Sequence, residues 1–305
     1  MAAAAVNLLG LRVFIVCVGL VGNVVLILAI IQTKFSRVKS FELFLLGLAS
    51  ANLEEIVIMT VFDVVVLQTS SGVASWSCRS LKFLTKFGEV ASILFTVLIS
   101  VFRQQKLRDA DKRVNQPIYL DGVRSAWMAS GACVLLAALL TLPVFVLGLE
   151  GAAGNATGSG GGGGGCLPDF FECSEDRCPA VNAAYKYLFL VLCNVLPLAV
   201  VTATGCLIVA VLLGRRSKVT PAPASGGRRG GGSSFHRSTV AVLAATGLFQ
   251  LDWTLYLILQ LTVIPTDRDF WAEAEILISF SYMSLSPYVY GMGNNLFSLR
   301  SFRRK

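Results

Sequence analysis

Charged and polar side chains recur along one stretch that is otherwise apolar, from Cys78 to Arg103. As an α-helix rising about 1.5 Å per residue, the stretch covers about 37 Å, enough to cross a bilayer. At about 100° per residue, one face collects the polar side chains; they are Lys82, Thr85, Lys86, Glu89, Ser92, Thr96, Ser100 and Arg103. Ionisable groups at membrane depth are costly unless they face a bundle or a water-filled cavity. The sequence therefore predicts a central helix with a polar face turned inward.

The charged residues near the start of this face could bind a small ligand. Lys82, Lys86 and Glu89 stack at i, i+4 and i+7. Two cations on one turn repel each other unless an anion joins them, so we hypothesise a ligand with an acidic group, held by Lys82 or Lys86, with aromatic walls around its apolar part. Two alternatives stay open. Lys86 and Glu89 could simply neutralise each other at i, i+3, or Glu55 and Glu89 could bind a cationic or zwitterionic ligand.

The composition is that of a polytopic membrane protein. Hydrophobic residues make up 55% of the 305 and charged residues 14%, against about 25% charged in soluble domains. The net charge of +8 does not indicate a nucleic-acid partner, because the basic residues lie in short segments between apolar runs. The one histidine, His236, lies in such a basic segment. We therefore expect no metal, no cofactor and no enzymatic activity.

Seven apolar runs predict an all-α membrane protein, a bundle of seven transmembrane helices that forms one domain over residues 1–305. The predicted spans are residues 8–31, 41–67, 81–103, 125–149, 185–213, 239–263 and 270–290. The first run has no basic residue ahead of it and no cleavage motif after it, so it is predicted to be a retained span. Residues 294–305 mix apolar and basic side chains and predict a short amphipathic helix on the membrane surface.

The distribution of charge predicts how the chain crosses the membrane. Most of the 26 Lys and Arg residues lie in the links after spans one, three and five and in the tail. The other links hold only Arg79, Arg177 and Arg268. By the positive-inside rule, the amino terminus is expected outside and the carboxyl terminus in the cytoplasm.

Two kinds of modification are predicted on the outer side. Four cysteines fall there, where thiols can oxidise; they are Cys78, Cys166, Cys173 and Cys178. We predict that Cys78 pairs with Cys173 or Cys178 and that the remaining two pair with each other, although four cysteines allow three pairings that the sequence does not choose between. Asn155 begins an Asn-Ala-Thr glycosylation sequon on the same side.

Short motifs follow one another at matching depths in the seven spans. They are Gly22-Asn23, Leu48 to Asn52, Phe102-Arg103-Gln104, Trp127, Pro197, Phe249 to Trp253, and Ser286-Pro287-Tyr288-Val289-Tyr290 followed by Phe297. Together they resemble a rhodopsin-like (class A) G-protein-coupled receptor over essentially the whole chain. Asn52 stands where that family has an aspartate, and Phe102 and Gln104 replace the Asp and Tyr that flank the arginine.

Three departures from the common pattern resemble a particular group of receptors. They are the stretch from Lys39 to Glu55, the very short amino terminus, and Leu255 where a proline is expected in the sixth span. These features look most like the vomeronasal type 1 receptors and the fish class A-related olfactory receptors. The resemblance implies a chemosensory receptor for pheromones or odorants in the plasma membrane, surrounded by lipid, which binds a small molecule and activates a heterotrimeric G protein.

The resemblance also implies roles for individual residues. It places the ligand in the outer half of the bundle, where the candidate residues are Lys82, Lys86, Glu89, Glu55, Tyr185, Trp253, Tyr256 and Glu275. It assigns activation and G-protein coupling to Arg103, Asn52, Pro287 and Tyr290. Asn52, Ser92 and Ser286 take positions that surround a sodium ion in the family, but with asparagine in place of aspartate we expect a structural polar cluster.

The runner-up function is a transporter or channel that uses the polar face of the third span as its pathway. Transporters usually show internal repeats with paired broken helices, and the sequence shows no such repeat. Ligand-driven nucleotide exchange on a G protein would distinguish a receptor from a protein that drives flux.

Overall fold

The computed structural model describes residues 2–32, 39–68, 75–112, 119–146, 180–217, 230–262, 268–294 and 296. Regular structure in these ranges is helical, with no strand among them. Six helices are α1 (Ala2–Ile31), α2 (Ser40–Gln68), α3 (Ser75–Lys112), α4 (Val123–Val146), α6 (Gly230–Thr262) and α7 (Arg268–Gly293). Three consecutive segments, Ala180–Phe189, Leu190–Val195 and Leu196–Ser217, run on without a break and are together α5. A 3₁₀ turn, Tyr119–Asp121, precedes α4.

Within the described residues, α1 to α6 are long and apolar enough to cross a membrane. Serines and tyrosines run through the second half of α7, and its crossing of the membrane stays a prediction. Several helices continue past the predicted spans. α3 extends to Lys112, beyond the end of the predicted span at residue 103, because residues 104–112 contain mostly good helix formers and no Gly or Pro. The basic charge of this link does not end a helix. Helix ends do not mark the membrane edge, so the span limits stay predictions.

The surface of the helices has the character expected of a lipid-facing bundle. Large apolar side chains are exposed on α1, α4 and α5, as in Phe14 at 66% and Leu135 at 62%. Soluble proteins rarely leave such side chains exposed in contiguous areas. These faces suit a hydrocarbon solvent, in which helices satisfy their own backbone hydrogen bonds.

α3 lies at the centre of the bundle. It packs against α2, α4 and α5 and also contacts α6, while α7 packs between α6 and α1. α2 and α3 approach closely at Gly47, where an added Cβ would collide with the ring of Phe95. The absence of a side chain at Gly47 therefore allows α2 and α3 to pack closely.

α5 contains a π-helical turn at Leu190–Val195, which is followed by Leu196 and Pro197. The Leu196 N–H donates to the carbonyl of Val191, five residues back, instead of four. Pro197 has no N–H to continue the regular ladder, and single π turns commonly accommodate such breaks.

Candidate functional site

The polar face of α3 is turned into the bundle. Lys82, Lys86, Glu89, Ser92 and Thr96 are each at most 7% exposed. The helical period alone explains why they point the same way, and the surrounding helices bury them. A line of buried polar groups thus runs through the middle of the molecule.

A charged cluster occupies the part of this face nearest Cys78. Lys86 Nζ lies 2.6 Å from Glu89 Oε2, so the i, i+3 pair that the sequence offered as one alternative is present. Lys82 has a contact of its own. The hypothesis of an acidic ligand is based on two cations that need an anion, and Glu89 already supplies an anion to Lys86.

Carboxylates from α2 complete the cluster. Glu55 is 4% exposed, and Gly88 on α3 lets Glu54 and Glu55 come close, because a Cβ there would meet both side chains. Both Glu54 oxygens and Glu89 Oε1 are buried without a hydrogen-bond partner among the described residues. Buried carboxylate oxygens normally have a partner, so this cluster has capacity to bind a further polar group.

The aromatic ligand candidates lie in two other places. Trp253 and Tyr256 on α6 are buried and meet edge to face, with ring centroids 5.1 Å apart. Tyr185 on α5 packs against Phe189 and donates its hydroxyl to the carbonyl of Leu140 on α4 at 2.7 Å. That hydroxyl therefore joins α4 to α5. The side chain of Glu275 lies outside the described residues.

Asp252 is a candidate that sequence reasoning missed. It is 7% exposed on α6 and accepts a hydrogen bond from Ser281 Oγ on α7 at 2.8 Å. A small cavity beside it is lined by Asp252, Trp253, Tyr256, Ile278, Ser279 and Tyr282. An acidic residue within an apolar span was the signal that could have identified it.

Halfway along α3, a neutral hydrogen-bond network surrounds Asn52. Ser92 Oγ donates to Asn52 Oδ1 at 2.6 Å, and Asn52 Nδ2 donates to Ser286 Oγ at 3.2 Å and to Asn23 Oδ1 at 3.4 Å. Asn23 Nδ2 donates in turn to the carbonyl of Met283 at 3.0 Å. Pro287 has no N–H for that carbonyl, which lies four residues before it, so Asn23 supplies the missing donor.

Arg103 lies at the other end of the polar face. Its Nη2 donates to Asn294 Oδ1 at 3.1 Å, and its guanidinium lies 3.6 Å from the centre of the Phe41 ring. Tyr290, another residue assigned to activation, is fully buried in the core around Phe44 and Phe102. The structure thus gathers Arg103 and Tyr290 at one end of the bundle, and Asn52 and Pro287 around the network described above.

Several predicted sites fall outside the described part of the chain. Cys78 is buried in α3 and is not one of the free cysteines of the described residues, which are Cys17, Cys133, Cys193 and Cys206. Outside the described residues lie Cys166, Cys173, Cys178 and Asn155. The disulfide pairing and the glycosylation stay predictions, as does the surface helix over residues 294–305, of which only Asn294 and Leu296 are described.

An all-helical bundle with lipid-facing sides and a buried polar axis defines a multi-pass membrane protein. The family of the 7 transmembrane receptor (rhodopsin family) matches residues 22–289, and this chain belongs to that family. It is a signalling receptor and not an enzyme, and its family implies a G-protein partner and a small-molecule or peptide ligand. No curated protein matches the chain.

Proposed function

We propose that this receptor is chemosensory, detects a small pheromone or odorant in the outer half of the bundle, and activates a heterotrimeric G protein at its inner end. The buried polar face of α3 carries the proposal, because it runs from the charged cluster at Lys82 to Arg103 on one helix. A ligand at one end and a G protein at the other can then act on the same rigid element. The resemblance to vomeronasal type 1 and fish olfactory receptors supports the chemosensory part.

The orientation follows from charge. The amino terminus lies outside, because the links rich in Lys and Arg belong on the cytoplasmic side. Membership of the receptor family supports the plasma membrane as the location. An epitope tag at the amino terminus should be accessible to antibody on intact cells, and a tag at the carboxyl terminus only after permeabilisation. The reverse pattern would contradict this orientation.

The experiment that tests the function is ligand-dependent nucleotide exchange on a co-expressed G protein. Membranes holding the full chain are exposed to panels of small carboxylates and amines, and exchange is recorded beside ion flux. Exchange without flux supports the receptor, and flux without exchange would support the transporter or channel. Because the chain belongs to a receptor family, we expect nucleotide exchange without ion flux.

The charge of the ligand is a separate part of the proposal. The sequence predicted an acidic group at Lys82 or Lys86, and such a group would have to compete with Glu89 for Lys86. Carboxylates and amines are therefore compared on wild type, Lys82→Gln, Lys86→Gln and Glu89→Gln. Loss of the response to acids in either lysine variant supports the acidic group. The acidic group would be contradicted if acids never activate the wild type, or if activation by acids survives both lysine changes while Glu89→Gln removes a response to amines.

A further inference from the structure

One side chain, Asn294, joins the ends of three helices. It directly follows α7, and its Oδ1 accepts hydrogen bonds from Arg103 Nη2 on α3 at 3.1 Å and from Ser238 Oγ on α6 at 2.6 Å. Its Nδ2 donates to the carbonyl of Tyr290 at 2.7 Å. Only the nitrogen of the amide can donate to a carbonyl. The Tyr290 carbonyl therefore turns the oxygen of Asn294 toward Arg103 and Ser238.

Arg103 is held in place without an acid. Its neighbours in the sequence are Phe102 and Gln104, and none of the ion pairs among the described residues involves it. Its contacts are the Asn294 oxygen and the face of Phe41, and its Nε is buried without a hydrogen-bond partner in the described part of the chain. A single hydrogen bond to a neutral amide is weaker than a bidentate bond to a carboxylate. The guanidinium is therefore positioned by contacts that a modest movement can break.

We propose that Asn294 is the positioning residue for Arg103 in the resting receptor, and that Ser238 ties the inner end of α6 to the same oxygen. We call the set Arg103, Ser238 and Asn294 the neutral latch. The inference rests on the proposed function, because it takes Arg103 as the group through which the G protein is engaged. Movement of the end of α6 away from the end of α7 breaks the bond between Ser238 and Asn294.

The first test uses ligand-free nucleotide exchange by the full-length receptor at matched surface expression. Asn294→Ala and Ser238→Ala should each raise basal exchange several-fold, because each removes a bond of the latch. A residue that merely supported folding would lower exchange when replaced. The matched control is Met292→Ala, two residues away and 55% exposed, which should leave basal exchange unchanged.

Two double variants test the connections within the latch. The double variant Asn294→Ala with Ser238→Ala should show the same basal nucleotide exchange as Asn294→Ala alone, because Ser238 acts through the Asn294 oxygen. Asn294→Ala with Ser238→Asp should return exchange toward the wild-type level, because Ser238 Oγ and Arg103 Nη2 both lie within hydrogen-bond distance of Asn294 Oδ1, so a carboxylate at position 238 can replace that oxygen as the acceptor. Additive single effects, or no reduction by Ser238→Asp, would overturn the assignment.

A second readout separates failure of the latch from failure of the proposed function. Hydrogen–deuterium exchange of the purified receptor in nanodiscs should be faster at residues 238–246 in Asn294→Ala and Ser238→Ala than in Met292→Ala. Faster deuterium uptake without nucleotide exchange supports the latch and contradicts coupling at Arg103. Unchanged deuterium uptake and unchanged nucleotide exchange overturn the latch, while ligand-driven exchange by the wild type would still support the proposed function.

Discussion

Two asparagines in this receptor donate to helix carbonyls through their side chains. Asn23 donates to the carbonyl that Pro287 leaves without a donor, and Asn294 Nδ2 is a second donor to the carbonyl of Tyr290, which also accepts the backbone N–H of Asn294 at 3.1 Å. An unpaired buried carbonyl costs about 1–3 kcal/mol. The nitrogen of an asparagine amide can donate to a carbonyl while its oxygen accepts another hydrogen bond. Each amide therefore also connects its helix to a neighbouring one.

Arg103→Ala should abolish ligand-driven nucleotide exchange on the G protein while surface expression stays close to wild type. The guanidinium contacts Asn294 and Phe41 at the end of the polar face, so its loss removes the charge proposed to engage the G protein. Exchange assays at matched surface expression measure the effect. Lys106→Ala is the control, since Lys106 is paired with Asp121 in a partly exposed bridge, and such bridges near the surface contribute little to stability. Equal signalling by Arg103→Ala and Lys106→Ala would count against the mechanism.

The network around Asn52 predicts a receptor that is insensitive to sodium. The neutral Asn52 brings no negative charge, and its amide nitrogen donates into the cluster at Ser286 and Asn23. The thermal unfolding midpoint of the purified wild type should be the same in sodium chloride and choline chloride at equal ionic strength. Asn52→Asp should acquire a midpoint that rises with sodium. A sodium-dependent midpoint in the wild type would refute the prediction.

Helix packing in this molecule depends on where small residues allow two backbones to approach. Gly47 leaves room for the Phe95 ring between α2 and α3, and Gly88 leaves room for Glu54 and Glu55. α6 runs through Trp253 and Leu255 as uninterrupted helix, because the proline expected there is absent. Any hinge in α6 must therefore arise without the usual break in its hydrogen bonds.

Gly47→Ala should destabilise the receptor by about 1–3 kcal/mol, because the added methyl group collides with the Phe95 ring in a packed interface. Thermal unfolding in detergent micelles measures the change. Gly131→Ala on α4 is the matched control, since nothing lies within 4 Å of its added Cβ. At position 131, alanine favours the helical state over glycine by about 1 kcal/mol. The prediction would be wrong if the two variants unfolded at the same temperature.

A disulfide is predicted to link α3 covalently to the loop between α4 and α5, which lies far from it in the sequence. Cys78 should pair with Cys173 or Cys178, and the two remaining loop cysteines with each other, since all four lie on the predicted outer side. Cys78→Ser should lower surface expression and destabilise the receptor by roughly 2–5 kcal/mol. Non-reducing peptide mapping provides the direct measurement. Recovery of Cys78 as a free thiol would refute the pairing, and Cys206→Ser, at an exposed free cysteine, serves as the control.

The sequence by itself determined the class of the molecule and the direction of its central polar face. Hydropathy and the helical period are local properties, so apolar runs and the alignment of Lys82 with Arg103 could be predicted without any contact between helices. The ordered motifs likewise indicated the receptor family that the chain belongs to. These inferences did not require knowing which side chains contact one another.

Only the tertiary structure decided which buried polar groups meet. Arg103 and Asn294 lie 191 residues apart and Asn52 and Ser286 lie 234 apart, and no local pattern specifies such pairs. The choice for Lys86 between Glu89 and a ligand, the buried position of Asp252 beside Ser281, and the acceptor for Arg103 all depend on how neighbouring helices rotate and approach. Their packing is set by the shapes of many side chains at once, and that is a property of the assembled bundle.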